Sequence, residues 1–184
     1  MLSINNDFSK IKEKYDEFQN HLLKTGRIPA KDTGIGYWGV TPVAELFELF
    51  KRIGLHRCRS FLDMGSGDGR VVHLASLFSR EAHGIEFDNE LVNISTDIRR
   101  SLDFPSVRNT SFKLEDFMSH DLSAYDMIYI SPDKPFSRSG TEAKLRSELK
   151  GKLIVHGWEF LPATLYKEDE HIINGEKFSI YSNA

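Results

Sequence analysis

The chain holds a single cysteine, Cys58, which excludes an internal disulfide and any cysteine-rich metal site. Its place just before a strand-like run points to packing rather than catalysis. The seven histidines show no H-E-x-x-H or comparable ligand spacing, so no metal is expected. Long apolar runs are missing too: none approaches the roughly 20 residues that span a bilayer. The N-terminus has none of the charged start, apolar middle and small-residue cleavage site of a signal peptide, so cytoplasmic residence without membrane insertion is the expectation. A net charge of −3 lacks the basic excess of a nucleic-acid binder. Two small basic clusters remain, Lys51, Arg52, His56, Arg57 and Arg59, and then Lys134, Arg138, Lys144, Arg146, Lys150 and Lys152. Each reads first as a solvated face, with a substrate footprint as the alternative. No internal repeat or low-complexity segment occurs. With 184 residues, 40% hydrophobic and 28% charged, the chain suits one buried core and is too short for two comfortable domains.

What the sequence does contain is FLDMGSGDG, Phe61 to Gly69, in which apolar residues and an acid lead into three glycines at alternate positions. A helical pattern, Arg70 to Phe78, follows. Gly65, Gly67 and Gly69 let a ligand approach the main chain closely, and the free N–H groups of the next helix point into the same space. A dinucleotide fingerprint, G-x-G-x-x-G, would place its third glycine one residue later, and no second nucleotide-binding half is present. A structural strand-to-helix turn needs small residues as well.

Further acids stand downstream. Glu86 ends the apolar segment Ala82 to Ile85, where a carboxylate after a second strand can accept hydrogen bonds from both ribose hydroxyls. Asp88 or Asn89 is read as the cap of a helix beginning near Glu90. Glu115 and Asp116 follow a third strand, Ser111 to Leu114; the pair is open to a ligand role or to capping a short helix. Met127 to Ile130 is an almost wholly apolar run, as expected of a central strand covered on both faces. It stops at Ser131-Pro132-Asp133, and in an open parallel sheet ligands bind outside the carboxyl ends of the strands.

Along the rest of the chain, Phe8 to Leu23 reads as an amphipathic helix ended by Gly26. Residues Lys31 to Pro42 read as a loop whose Tyr37 and Trp38 form a lid or cover a core edge. A helix from about Pro42 to Ile53 comes next. Residues 1–36 are expected to pack as part of one domain with 37–184. Strand and helix then alternate through a fifth strand, Lys152 to Val155, which is the signature of a parallel sheet with helices on both faces. Thr164 to Tyr166, Ile172 to Ile173 and Phe178 to Tyr181 look like strand, with Asn174-Gly175 as a hairpin turn.

The spacing D-x-G-x-G-x-G at Asp63 to Gly69 resembles motif I of the class I S-adenosylmethionine-dependent methyltransferases, and HGIEFDNELV is typical of the segment that follows it there. The stretch from Tyr37 to Leu91, with Thr41-Pro42 before its first helix, is similar to small archaeal and bacterial methyltransferases. It also resembles the mitochondrial protein-lysine methyltransferases that modify the ATP synthase c-subunit and the adenine nucleotide translocase. TEAKLRSELKGKLIVHGWEF looks like that group's helix and following strand. The resemblance implies a three-layer, Rossmann-like α/β fold with a seven-stranded, mostly parallel sheet ending in an antiparallel hairpin. It implies S-adenosylmethionine as cofactor, held by Tyr37, Thr41, Asp63, Gly65, Ser66, Gly67, Gly69, Glu86, Phe87, Glu115, Asp116, Phe117 and Ser131. An acid at Glu115 or Asp116 would meet the adenine amino group, with Phe117 against the ring. Asp133 and Ser131 are the candidates to orient the acceptor, and Tyr37, Trp38, Phe136 and Trp158 are candidate walls. Where amino-directed relatives carry Asp or Asn, then Pro-Pro and an aromatic, this chain has SPDKPF. A protein side chain leads as acceptor, RNA is the enzymatic alternative, and a non-catalytic cofactor-binding or interaction protein on the same fold is the alternative of another class.

Overall fold

The computed structural model describes residues 2–132 and 139–183; Asp133, Lys134, Phe136 and Arg138 lie outside them. Helix α1 (Leu2–Lys24) begins before the apolar stripe that announces it and ends before Gly26, whose φ of 75° a helix cannot continue through. The expected loop that follows contains a small hairpin instead, β1 (Ala30–Asp32) against β2 (Tyr37–Gly39). Three-residue strands are too short for period-two alternation to register in a sequence.

The remaining elements are α2 (Val43–Arg52), β3 (Ser60–Met64), α3 (Arg70–Ala75), β4 (Glu81–Glu86), α4 (Asn89–Ser101), β5 (Thr110–Leu114), β6 (Met127–Ile130), α5 (Thr141–Glu148), β7 (Lys152–His156), β8 (Tyr166–Ile173) and β9 (Glu176–Ser182). Helix α3 is shorter than its pattern suggests. Beyond Ala75 the backbone tightens to Leu77 N–H to Leu74 and Phe78 N–H to Ala75 bonds, with the Ser76 and Ser79 hydroxyls bonding back to the chain. Strand β8 runs unbroken from Tyr166 to Ile173 where the sequence suggests two pieces. Its turn into β9 has positive φ at both Asn174 (50°) and Gly175 (92°), matching the twist of a two-residue hairpin.

Seven strands form one sheet in the order β5-β4-β3-β6-β7-β9-β8. The first five are parallel; β9 runs antiparallel between β7 and β8. Alternate residues feed two apolar layers. Phe61, Tyr129, Ile154 and Phe178 pack with α2 and α3, while Leu62, Met64, Ile128, Ile130, Leu153 and Val155 pack with Leu145 and Leu149 at α5. Because the chain builds outward from β3 to β5 and then returns to β6 on the other side of β3, the strand order reverses between β3 and β6. A crevice opens at the carboxyl ends of such strands.

Candidate active site

Residues 65–69 carry the chain from β3 to α3. The N–H groups of Gly65 and Ser66 both donate to the Ile85 carbonyl at 2.9 Å, which ties the turn to β4. At Gly67 (φ 53°) a Cβ would stand 2.4 Å from the Trp38 ring, and at Gly69 (φ 84°) 2.6 Å from Ser95 Cβ, so both conformation and space require glycine. Trp38 thus lies directly on the turn, and the segment 33–41 roofs a cavity of ≈ 680 Å³ at the carboxyl ends of β3, β4 and β6.

The turn is fixed from below by α1. Tyr15 is fully buried and donates its hydroxyl to the Asp68 carbonyl at 3.0 Å; the same oxygen lies 2.7 Å from His73 Nδ1. With the hydroxyl proton given to Asp68, His73 carries its proton on Nδ1, and its buried Nε2 is a bare acceptor, cheaper to leave alone than an N–H. Burial first, and then Arg99, hold the His73 pKa down to about 3. Arg70 grips the Asp68 carboxylate with Nε and Nη2 at 2.5–3.1 Å and sits 4.8 Å from the centre of the Tyr15 ring.

Glu86 is buried and is held by main chain alone: its Oε2 accepts from Gly67 N–H at 2.9 Å, its Oε1 from Phe87 and Asp88 N–H at 2.8 and 2.9 Å. Since an ionised carboxylate has about four acceptor positions, one is left to face the cavity. Asp88 caps α4, accepting from Leu91 N–H at 3.1 Å. Asp63 is 2% exposed and, among the described residues, has no cation paired with it; burial, then Glu86 and Asp68, push its pKa well above the ordinary carboxylate value. Glu115 lines the cavity but its carboxylate is engaged by His120 Nδ1 at 2.8 Å and Lys113 at 2.9 Å. Asp116 accepts from Met118 N–H at 2.8 Å.

Of the thirteen residues expected around a cofactor, twelve line this cavity, Phe117, Phe87, Tyr37 and Thr41 among them. Gly69 is the exception, packed between Ser95 and Phe112 at the start of α3. Ser66 lines it, though its hydroxyl is buried against Gly84 without a partner. Trp158, a candidate wall, is not on the cavity surface; it is 60% exposed with Lys177 Nζ 4.0 Å over its ring. Cys58 is buried, its thiol 3.2 Å from the Ser60 carbonyl and pushed up to about 12 by burial first and then Asp126.

The end of the cavity beyond β6 holds a group that the sequence reading did not assemble. Tyr129 and Ser131 direct hydroxyls at His156 Nδ1, at 2.8 and 3.2 Å, and His156 Nε2 lies 2.8 Å from Glu176 Oε2. Three strands supply these residues: β6 and its end, the end of β7, and the start of β9.

No family model matches the sequence, and no curated protein matches it. Solved structures do. An RNA methyltransferase from Salinibacter ruber in complex with S-adenosyl-L-homocysteine superposes with a TM-score of 0.64 at 19% identity, over 78% of this chain and 92% of that one. The fold is that of the class I methyltransferases. Magnesium protoporphyrin IX methyltransferase from Synechocystis, with bound S-adenosylmethionine, gives 0.62 at 12% identity, covering 77% of this chain and 78% of that one. The PH0226 protein of Pyrococcus horikoshii gives 0.61 at 15%, covering 77% and 89%.

Proposed function

We propose that the protein transfers a methyl group from S-adenosylmethionine to an amine, with a protein lysine side chain as the leading acceptor. The observation that carries this reading is the charge of the cavity. Among the described residues five carboxyl groups line it, Asp63, Asp68, Glu86, Glu115 and Asp116, against one Arg or Lys, Arg70, which Asp68 already neutralises; burial raises the Asp63 pKa, so its charge is expressed when a cation lies beside it. Such a surface favours a ligand with an ammonium and a sulfonium, and a cationic acceptor, and opposes phosphate. The residues fit the cofactor: Glu86 has an acceptor position left for ribose, the Gly65 face is open, and the buried Asp63 would regain its charge beside an ammonium. When bound, the cofactor supplies an electrophilic methyl group.

RNA as acceptor is less well supported. Lys51, Arg52, His56, Arg57 and Arg59 sit between the end of α2 and the start of β3, at the amino end of the sheet, away from the cavity mouth. Lys144 and Lys152 are paired with Glu148 and Glu168, and Arg146 donates to the Thr164 carbonyl. Among the described residues, no member of either basic cluster lines the cavity.

Titration calorimetry is the test. The protein should bind S-adenosylmethionine and S-adenosylhomocysteine and not NAD. Incubation with cofactor labelled at the methyl and a cellular extract should then leave label in acid-hydrolysed protein as methyl-lysine. Label lost on ribonuclease treatment would move the reading to RNA. Absence of binding by folded protein would leave the non-catalytic reading.

A further inference from the structure

His156 is buried at the end of β7, on the cavity wall, and its two nitrogens face opposite worlds. Glu176 can only accept a hydrogen bond, so Nε2 carries the proton and donates it to Glu176 at 2.8 Å. That leaves Nδ1 as a lone-pair nitrogen whose single acceptor position is approached by the Tyr129 hydroxyl at 2.8 Å and the Ser131 hydroxyl at 3.2 Å, so that one of the two donates at a time. Ser131 is on the cavity surface, just past the carboxyl end of β6, where open parallel sheets bind their ligands. The Glu176 side chain is 40% exposed. The chain of polar atoms therefore runs from the cavity, across the ends of β6, β7 and β9, to solvent.

We infer that Ser131, His156 and Glu176 form a proton relay that takes the acceptor's proton, with His156 Nδ1 as the receiving atom. This rests on the methyltransferase reading above. The acceptor ammonium gives its proton to Ser131 Oγ while the Ser131 hydroxyl proton passes to His156 Nδ1. The neutral amine's lone pair then forms the N–C bond, and the S–C bond breaks with its electron pair remaining on sulfur. The imidazolium keeps its Nε2–H on Glu176 and, once the methylated product has left, returns the Nδ1 proton through Ser131 Oγ to water in the emptied cavity, which restores the starting tautomer. Glu176 is a positioning residue: it fixes the tautomer and stabilises the imidazolium while it exists.

The surroundings suit that task. Phe178 stacks on the imidazole at 4.6 Å and 21°, holding the ring plane. Burial keeps the imidazole below its ordinary value, against Glu176, which raises it, so the ring is neutral and ready to accept at pH 7. Among the described residues, the groups facing this centre are the Tyr129 hydroxyl from β6 and the Ser131 hydroxyl just past it, Glu176 from β9, Thr41 beside the Tyr129 hydroxyl, and Asp63 from β3, whose ionised form acts at Tyr129.

The test needs no acceptor. Nitrogen-15 NMR of the intact protein, with His156 assigned by the missing signal in His156→Gln, reads tautomer and pKa together. Should that variant fail to fold, the signal displaced in Glu176→Gln, a change at a partly exposed side chain, gives the assignment. The free protein should show an Nε2–H ring with bare Nδ1. Its pKa should be lower in the S-adenosylmethionine complex than in the S-adenosylhomocysteine complex by about one unit, the order expected of one added positive charge in the same cavity. An Nδ1–H tautomer, or the same pKa in both complexes, would overturn the proton relay while leaving cofactor binding intact. Absence of binding by both ligands would overturn the methyltransferase reading and the relay with it.

Discussion

The two ends of the cavity are built from different material. At the β4 end the ligand surface is fixed by main chain: three peptide N–H groups hold the Glu86 carboxylate, and a glycine turn hung from the Ile85 carbonyl leaves its own face bare. At the β6 end the surface is side chain, a Ser–His–Glu run drawn from three strands. Main-chain geometry cannot be changed by substitution without disturbing the fold, whereas a side-chain network can be rewritten one residue at a time. The first end thus suits an invariant cofactor, and the second suits an acceptor that differs between proteins sharing the sheet.

The sharpest way to break this contrast is at Glu86. Glu86→Ala leaves three N–H groups without their acceptor, so unfolding in urea should show a loss of about 3 kcal/mol, and calorimetry a fall in S-adenosylmethionine affinity of at least about 100-fold. Retained affinity would show that the main-chain end does not hold the ribose. Asp63→Asn comes next, with opposite signs in the two measurements. Removing a buried, unpaired carboxylate should raise the melting temperature of the free protein by about 2–4 °C while lowering cofactor affinity about 30-fold. The wild-type pH dependence follows from the same shift. Burial raises the Asp63 pKa, a cationic ligand lowers it, and binding therefore expels a proton. Affinity should climb as pH rises until Asp63 of the free protein is ionised, and buffer-dependent binding heats should report the released proton in wild type and not in Asp63→Asn.

The contrast also explains which features are legible in the sequence. Five parallel strands, their order of appearance and the closing hairpin follow from apolar runs and from Asn174-Gly175, because each is a local property of the chain. The glycine turn is legible for the same reason: its spacing is set by the backbone within nine residues. His156 is not. As a lone histidine it reads as a core or surface residue, and nothing local says that it meets a serine 25 residues earlier and a glutamate 20 residues later. Tyr15 is hidden likewise, its contact with the Asp68 carbonyl spanning 53 residues. Hairpin β1–β2 escapes because three-residue strands carry no period, and the Trp38 ring packed on Gly67 is visible only once that hairpin is folded.

Trp38 and Ser131 mark the smaller effects. The Trp38 ring roofs the turn without offering it a charge, so Trp38→Ala should weaken cofactor binding only about fivefold, roughly 1 kcal/mol of lost apolar cover. Ser131→Ala should hardly touch it, with affinity within about twofold of wild type, because no main-chain ligand contact depends on the hydroxyl. Turnover is where that variant should fall, by at least about 10-fold, since the acceptor's proton then has no hydroxyl through which to reach His156 Nδ1. Transfer of labelled methyl into the protein fraction, measured beside the calorimetric affinity, separates the two. A loss of affinity equal to the loss of turnover would mean that the β6 end holds the cofactor as well, and that the division between an invariant main-chain end and a rewritable side-chain end does not describe this cavity.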